Sequence, residues 1–320
     1  MPSLFENAVA SIRMGVEDYG QQDADRDISA VRNFYAGVLL LAKEALIRAA
    51  PNADPQHVIG AKLKPVSDGK GGIEMAQVGH TTVDFQQIGE RAADFGISLD
   101  HKALKALNTI RNDMEHHYTS SPATAIRSAI AKGFPVASSL FRQMKEDPAE
   151  HLGDVWTTML ETTDLYNHEV AEAKATLANV AWVSETVANA SFKCSECGAE
   201  LLGQVDPENT KQSHVEFRCR GCQATPDVED VIEATVEQEL GHEVYINYKD
   251  AGEEGPIYEC PSCQRQCYID REGACANCGE ELDYDSECAR CSNGISIREY
   301  LDGNDSGLCG YCKYVMEKDD

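Results

Sequence analysis

Apolar and polar positions along residues 1–190 alternate with the three- and four-residue spacing of amphipathic helices. The pattern predicts helices over residues 3–18 and 27–49, and Pro51 ends the second because proline cannot continue a helix. The apolar stripe of the second helix consists of Val31, Phe34, Val38, Leu41 and Ala45, widened by Leu39, Leu40, Leu46 and Ile47. So wide a stripe predicts a largely buried helix.

The segment that follows is rich in glycine and is predicted to be a loop. Residues 63–82 carry four glycines and one proline, and we expect a short hairpin within them. A helix over residues 82–95 then ends at Gly96, since glycine favours the left-handed conformation that follows many helices. Asp100 is predicted to cap the next helix, residues 101–118.

Two further segments complete this helical part of the chain. Residues 122–146 are predicted to be helical with an interruption at Pro135, which lacks an amide hydrogen. Residues 148–190 predict one or two more helices. We therefore expect residues 1–190 to form an all-α helical bundle.

The pattern changes after Ser191, where helical periodicity gives way to short strand-like stretches that run into cysteine pairs. A short helix within residues 227–240 is the exception. All 13 cysteines lie between Cys194 and Cys312, and twelve of them form six C-x2-C pairs. The N-terminus lacks the pattern of a secretory signal, so these pairs favour metal ligands over disulfides.

Two C-x2-C pairs that a hairpin brings together supply the four thiolates of a tetrahedral Zn2+ site. The spacing defines three such sets, which are Cys194, Cys197, Cys219 and Cys222, then Cys260, Cys263, Cys275 and Cys278, then Cys288, Cys291, Cys309 and Cys312. They resemble zinc ribbons, over residues 191–225, 257–283 and 284–320, with an acidic linker over residues 226–256. Four cysteine ligands leave no open coordination position, so we expect about three structural zinc ions per chain, not catalytic ones.

Two features of the cysteine pattern leave alternatives open. The four pairs within residues 260–312 form either two sequential ribbons or one interleaved cross-brace, and their hairpin-sized spacers favour sequential ribbons. Cys267 is the odd cysteine. It is either a competing ligand or a semi-buried free thiol, and the free thiol is the favoured interpretation.

The formal net charge is −26, and it is unevenly distributed. Residues 1–190 carry 17 Lys and Arg against 25 Asp and Glu, which gives −8, and residues 191–320 carry 11 against 29, which gives −18. Nucleic-acid affinity comes mainly from lysine and arginine, so the second segment is expected to bind a protein partner instead. No stretch approaches the roughly 18 apolar residues of a membrane helix, and we expect a cytoplasmic protein without membrane contact.

Arg111 is unusually placed in the predicted helix 101–118. At about 100° per residue, Leu104 and Met114 fall within about 60° of it, so the arginine shares the apolar stripe. A buried guanidinium is costly unless it is paired or functional. An ion pair with Glu115, one turn later, is the structural alternative to a functional role.

The sequence around Arg111 also matches a more particular pattern. "RNDMEHHY" has the form R-N-x3-H-x-Y, which resembles the R-x4-6-H motif of HEPN domains, a family of all-α bundles. The resemblance covers about residues 1–180. It implies a homodimer in which two copies of the motif face each other across a cleft. Catalytic members of the family are metal-independent ribonucleases that act on RNA.

The resemblance also implies roles for the motif residues. His116 is the general acid or base, Arg111 stabilises charge on the phosphate, and Asn112 orients the phosphate or the histidine. Tyr118 resembles the tyrosine that a nucleotidyltransferase antitoxin modifies in HEPN toxins, although a core tyrosine is the favoured interpretation. A second Arg-Asn pair, Arg32–Asn33, has no following histidine and is interpreted as structural.

Three functions are compatible with these features. The first is a HEPN-type ribonuclease of a toxin–antitoxin or phage-defence system, with basic clusters Lys102–Lys105 and Arg142–Lys145 available to flank its cleft. The second is a non-catalytic HEPN and zinc-ribbon adaptor or regulator, which the negative charge of the bundle favours. The third is a zinc-ribbon protein of the transcription or translation machinery, which the acidic ribbons disfavour.

Overall fold

The computed structural model describes residues 3–116, 122–250, 255–282, 287–301 and 306–319. The side chains of residues 116, 246–250 and 319 also lie outside this description. The chain divides into two compact units, Met1–Glu169 and Val170–Asp320.

The first unit is helical apart from one hairpin. Its helices are α1 (Leu4–Gly20), α2 (Ala24–Ala49), α3 (Pro55–Ile59), α4 (Phe85–Asp94), α5 (His101–His116), α6 (Ala123–Gln143), α7 (Pro148–Leu152), α8 (Asp154–Leu160) and the start of α9 (Thr163–Leu177). The hairpin pairs β1 (Leu63–Ser67) with β2 (Ile73–Gln77) in antiparallel register, as expected for residues 63–82.

Helices α1 and α2 approach each other closely at two glycines. A Cβ atom at Gly15 would lie 2.5 Å from the backbone nitrogen of Phe34, and one at Gly37 would lie 2.7 Å from the backbone nitrogen of Ile12. Side chains do not tolerate such short contacts with backbone atoms. The two glycines therefore fix α2 against α1.

Helix α2 also packs against α6. The Phe34 ring meets Phe134 edge-to-face, with 5.1 Å between the ring centroids. Gly133 makes room for this contact, because a Cβ there would lie 2.6 Å from the Phe34 ring. Phe34 and Phe134 are fully buried in the hydrophobic core.

The predicted stop of α4 at Gly96 and the predicted N-cap of α5 at Asp100 are both confirmed. Asp100 accepts a hydrogen bond from the amide of Ala103 at 2.9 Å, as a helix N-cap does. Gly96 follows α4 with φ of +70°, the left-handed conformation that glycine adopts without strain. These signals depend on two to four neighbouring residues, which is why the sequence reveals them.

Two predictions about the later helices are wrong. Helix α6 runs without interruption past Pro135. Proline removes one backbone hydrogen bond, but Phe134 and Val136 on either side are buried in the core, and this packing holds the helix together. Residues 148–190 form four helices, not one or two. Gly153, with φ of +59°, separates the first two of them.

The second unit combines one long helix and several short ones with two small antiparallel sheets. Its remaining helices are α10 (Glu185–Asn189), α11 (Val228–Asp250), α12 (Ile297–Leu301) and α13 (Gly310–Asp319), and its strands are β3 (Leu202–Gln204), β4 (Phe217–Cys219), β5 (Ile257–Tyr258), β6 (Tyr268–Ile269) and β7 (Ala274–Cys275). Strand β3 pairs with β4, and β6 lies between β5 and β7. Both sheets stand beside cysteine pairs, so the predicted outline of helices followed by small β-rich modules is correct.

Helix α11 extends well beyond the short helix predicted within residues 227–240, and it fills most of the stretch interpreted as an acidic linker. Its buried side is formed by Ile232, Val236 and Leu240, one turn apart. Within the ranges described above, no helix is both long and apolar enough to cross a membrane.

Candidate functional site

Twelve cysteines meet in three groups, and these are the groups that the spacing predicted. Set 1 is Cys194, Cys197, Cys219 and Cys222, set 2 is Cys260, Cys263, Cys275 and Cys278, and set 3 is Cys288, Cys291, Cys309 and Cys312. Within each set the four sulfur atoms lie within 4.8 Å of one another, so each set suits one metal ion. The grouping is sequential, and the interleaved cross-brace is not the arrangement in the structure.

The sulfur–sulfur distances fit a tetrahedral ion. In set 1 the Sγ atoms of Cys194 and Cys222 are 3.7 Å apart, and those of Cys197 and Cys219 are also 3.7 Å apart. The corresponding distances in sets 2 and 3 are 3.6–3.7 Å. A tetrahedron with metal–sulfur bonds of about 2.3 Å, the value for zinc, has edges of about 3.8 Å.

Each C-x2-C turn is closed by one backbone hydrogen bond. The amide of the residue after the second cysteine donates to the carbonyl of the first, as Gly198 does to Cys194 at 2.8 Å. The six donor residues are Gly198, Gln223, Gln264, Gly279, Ser292 and Lys313. The first five of them have positive φ, between 57° and 78°. From the sequence, this turn could be recognised only where the donor is a glycine, at Gly198 and Gly279.

Set 1 is supported from one side by aromatic residues. The rings of Phe192 and Phe217 are 5.3 Å apart, and Trp182 lies 5.0 Å from Phe192. Cys194 and Cys219, which follow Phe192 and Phe217 by two residues, are buried, whereas the second cysteine of each pair is exposed. The thiolates are thus held by a packed core, as in a structural site.

Cys267 belongs to none of the three sets and is fully buried. Burial raises the pKa of its thiol to about 12, so the thiol stays protonated and is a poor metal ligand. Cys288 of set 3 shows the opposite effect. Backbone hydrogen bonds, above all the one from Cys309, lower the pKa of its thiol to about 6, whereas the pKa values of Cys291 and Cys312 in the same set are raised.

Arg111 lies at the edge of the apolar face of α5. Leu104 and Leu107 are fully buried, whereas the Arg111 side chain is 35% exposed. Its Nη2 atom forms an ion pair with Glu115 at 2.7 Å, and its Nη1 atom donates to Oδ1 of Asn112 at 2.9 Å. The pair with Glu115, the structural alternative raised by the sequence, is therefore present.

The Arg111 side chain lines a cleft of about 320 Å³ in the first unit. We call it the cationic cleft, and its lining residues are Arg32, Tyr35, Ala36, Leu39, Leu40 and Lys43 of α2 with Arg111 and Glu115 of α5. Three cations and one carboxylate give these residues a net charge of +2. The surrounding residues 1–190 carry −8. The cleft is therefore a local exception in an acidic chain.

Tyr35 connects the two helices that form the cleft. It is buried, and its hydroxyl donates to Oδ1 of Asn108 on α5. The guanidinium carbon of Arg111 lies 5.8 Å from the centre of its ring, which is within cation–π range. Burial raises the pKa of Tyr35 to about 12, so the hydroxyl remains a neutral donor.

The structure brings together two of the predicted motif residues, Arg111 and Asn112. His116 is the last residue of α5, but its side chain lies outside the described part of the chain. Tyr118 lies outside the described residues altogether. The roles of His116 and Tyr118 therefore stay predictions.

The two basic clusters that the sequence offered do not line the cationic cleft. Arg142 pairs with the buried carboxylate of Glu169 at 2.7 Å, and Lys102 lines a separate cavity of about 720 Å³. Arg32 and Lys43 line the cleft instead. From the sequence, Arg32 is interpreted as structural and Lys43 is not identified. The available signal was their spacing on α2, because eleven residues are close to three helical turns.

No protein-family model matches this chain, and no curated protein or solved structure matches it either. The resemblance to HEPN domains, which was based on the motif around Arg111 and on the helical bundle, therefore stays a prediction.

The turn at Gly198 gives a direct test of how set 1 is built. A Cβ there meets open space, so Gly198→Ala adds only the strain of positive φ, about 1–2 kcal/mol. We expect about tenfold weaker metal retention at set 1. The readout is the chelator concentration that releases the ion. Release is monitored by the change in tryptophan fluorescence, to which Trp182 contributes.

The matched control is Gln264→Gly in set 2, where φ is +61°. This change removes strain, so it should leave set 1 unaltered and should make set 2 more resistant to chelation. Equal metal retention in Gly198→Ala and the wild type would contradict the role given to positive φ.

Proposed function

We propose that the first unit is a HEPN-type, metal-independent endoribonuclease and that the cysteine sets are structural zinc ribbons. The supporting observation is the position of Arg111, the first residue of the motif, in a cleft of positive charge within an acidic chain. Phosphodiester recognition needs lysine and arginine. The cationic cleft supplies them at the motif.

The proposed reaction is transfer of a phosphodiester to its own ribose. The 2′-oxygen attacks phosphorus as His116 takes the 2′-OH proton, and the bond to the 5′-oxygen breaks as that oxygen takes a proton from water. The protonated His116 then returns its proton to the solvent. The products are a 2′,3′-cyclic phosphate and a 5′-OH. Arg111 stabilises the charge on the phosphorane-like transition state, and its planar guanidinium suits two phosphate oxygens. Asn112, already bonded to Arg111, holds its orientation.

Glu115 has a defined part in this proposal. It neutralises Arg111 in the free protein at 2.7 Å, and a substrate phosphate must take its place. Tyr118, two residues beyond the histidine, is the proposed modification site in the manner of HEPN toxins. Such control is typical of a toxin–antitoxin or phage-defence system, which is the proposed setting in the cytoplasm. The bundle is proposed to form a homodimer, as the family resemblance implies.

We assign zinc to the three cysteine sets because four thiolates and edges near 3.7 Å are the zinc-ribbon arrangement. Four protein ligands leave no position for a reacting water, so the ions hold the fold and take no part in cleavage. The net charge of −18 on residues 191–320 favours a basic protein partner for this part of the chain.

The second candidate function is a non-catalytic adaptor. The Arg111–Glu115 pair favours it, because a paired arginine needs no substrate to satisfy its charge. In that case the cleft would be a packing feature, and the acidic second unit would carry the binding activity.

Cleavage of RNA by the purified zinc-loaded protein distinguishes the two candidates. We expect endonucleolytic cleavage of short oligonucleotides without added metal ions, persisting with EDTA, and leaving 2′,3′-cyclic phosphate and 5′-OH ends. The Arg111→Ala, His116→Ala double variant should lose cleavage, because it lacks both the charge stabiliser and the acid–base group.

The double variant must keep the zinc content and the circular dichroism spectrum of the wild type to serve as a control. Activity that survives both substitutions would exclude the proposed site. Wild-type protein that cleaves no RNA under any tested condition would favour the adaptor.

The zinc assignment predicts a stoichiometry close to three zinc ions per chain, measured by elemental analysis of protein purified without added metal. Removal of the metal should unfold the ribbons, because the free energy of metal binding is what stabilises such small modules and the released thiolates become protonated. The helical signal of the first unit should remain. A value near one ion per chain would contradict the assignment.

A further inference from the structure

The three cations of the cationic cleft are arranged along α2. Arg32 and Lys43 are eleven residues apart, which places them on the same face of the helix at about 16 Å from each other. Arg111 reaches the cleft at Tyr35, one turn after Arg32, since its guanidinium carbon lies 5.8 Å from that ring. The order along the cleft is therefore Arg32, Arg111 and Lys43.

Arg32 is free to bind a ligand. Its side chain is exposed, and among the described residues no carboxylate forms an ion pair with it. The sequence interpretation treated Arg32 and Asn33 as one structural pair. The structure separates them, because Asn33 donates to the hydroxyl of Ser29 at 3.1 Å, whereas Arg32 lines the cleft.

Lys43 marks the other end of the cleft. Its Nζ atom donates to the hydroxyl of Thr82 at 2.9 Å, which fixes the ammonium group and leaves two of its hydrogens for other acceptors. Burial lowers the pKa of Lys43, and nearby Asp84 opposes this effect. The net shift is downward, so Asp84 only partly offsets the burial of the ammonium, and a phosphate would add to this offset.

The surface between the cations is apolar. Ala36, Leu39 and Leu40 line it, and the ring of Tyr35 is buried beneath. The lining therefore offers cations for phosphates but no exposed aromatic ring on which a base could stack. Binding should depend on the sugar–phosphate backbone and show little sequence preference.

We infer that the cationic cleft is a track for the backbone of one single-stranded RNA, with Arg111 at the reacting phosphate, Arg32 at the adjacent phosphate and Lys43 several phosphates further along. This inference rests on the proposed function. The side chains of Arg32 and Lys43 start from backbone positions about 16 Å apart along α2, and Thr82 holds the Lys43 ammonium, so we expect the two cations to contact different phosphates. A stacked strand rises about 3.4 Å per phosphate, so the span corresponds to roughly five steps from one phosphate to the next, or about six phosphates. The substrate is thus a chain, not a mononucleotide or a dinucleotide.

The test is binding of 5′-fluorescein-labelled 2′-O-methyl oligonucleotides, one to eight nucleotides long, to the full-length zinc-loaded protein by fluorescence anisotropy. Affinity should rise with length up to about six nucleotides and then level off. The plot of log K against log salt has a negative slope. Each lost phosphate contact should reduce the magnitude of this slope by about 0.7 for a single strand. Arg32→Gln and Lys43→Gln should each show this decrease. Lys132→Gln, an exposed lysine outside the cleft, should not.

Two results would overturn the track. One is a mononucleotide that binds as tightly as the longest oligonucleotide, and the other is a salt slope that is unchanged in Arg32→Gln and Lys43→Gln. Because the 2′-O-methyl group blocks cleavage, the binding result is independent of catalysis. Length-dependent binding by a protein that cleaves no unmodified RNA contradicts the nuclease and supports the track. Cleavage with unchanged slopes contradicts the track and supports the nuclease.

Discussion

The close contact between α1 and α2 is the constraint on which the first unit depends. Gly15 and Gly37 let the two backbones approach to distances that no side chain permits. Helix α1 covers one side of α2, and α6 and α5 contact it at Phe34 and Tyr35, so its remaining partly exposed face borders α5. That face carries Arg32 and Lys43. The cationic cleft is thus a consequence of how tightly the rest of α2 is packed.

The second unit depends on a different interaction, the binding of thiolates to a cation. Four thiolates within 4.8 Å of one another are stable only around a positive ion. The turns that hold them are closed by one hydrogen bond each and require positive φ at five of six positions, three of which are not glycine. Local backbone strain at Gln223, Gln264 and Ser292 is therefore offset by metal binding. Removal of the ions should affect this unit far more than the first.

The features that the sequence revealed are local. The cysteine sets follow from spacing, the cap at Asp100 from one side chain, and the unusual place of Arg111 from helical periodicity. The missed features depend on tertiary contacts. The cleft joins α2 to α5 across about seventy residues of sequence, and core packing carries α6 past Pro135. Helix α11 was underestimated because Gly241 interrupts its pattern, whereas its first turns are held by ion pairs from Arg265 to Asp230 and Glu233.

The central claim is that the Arg111 guanidinium binds a phosphate of the RNA. In the free protein, Glu115 occupies the position of that phosphate. The most direct measurement is the affinity of a 2′-O-methyl oligonucleotide for Glu115→Gln beside the wild type. An exposed ion pair contributes about 0.3–1 kcal/mol, so we predict about two- to fivefold tighter binding once the competing carboxylate is removed. Equal or weaker binding in Glu115→Gln would contradict the claim and leave Arg111 as a structural partner of Glu115.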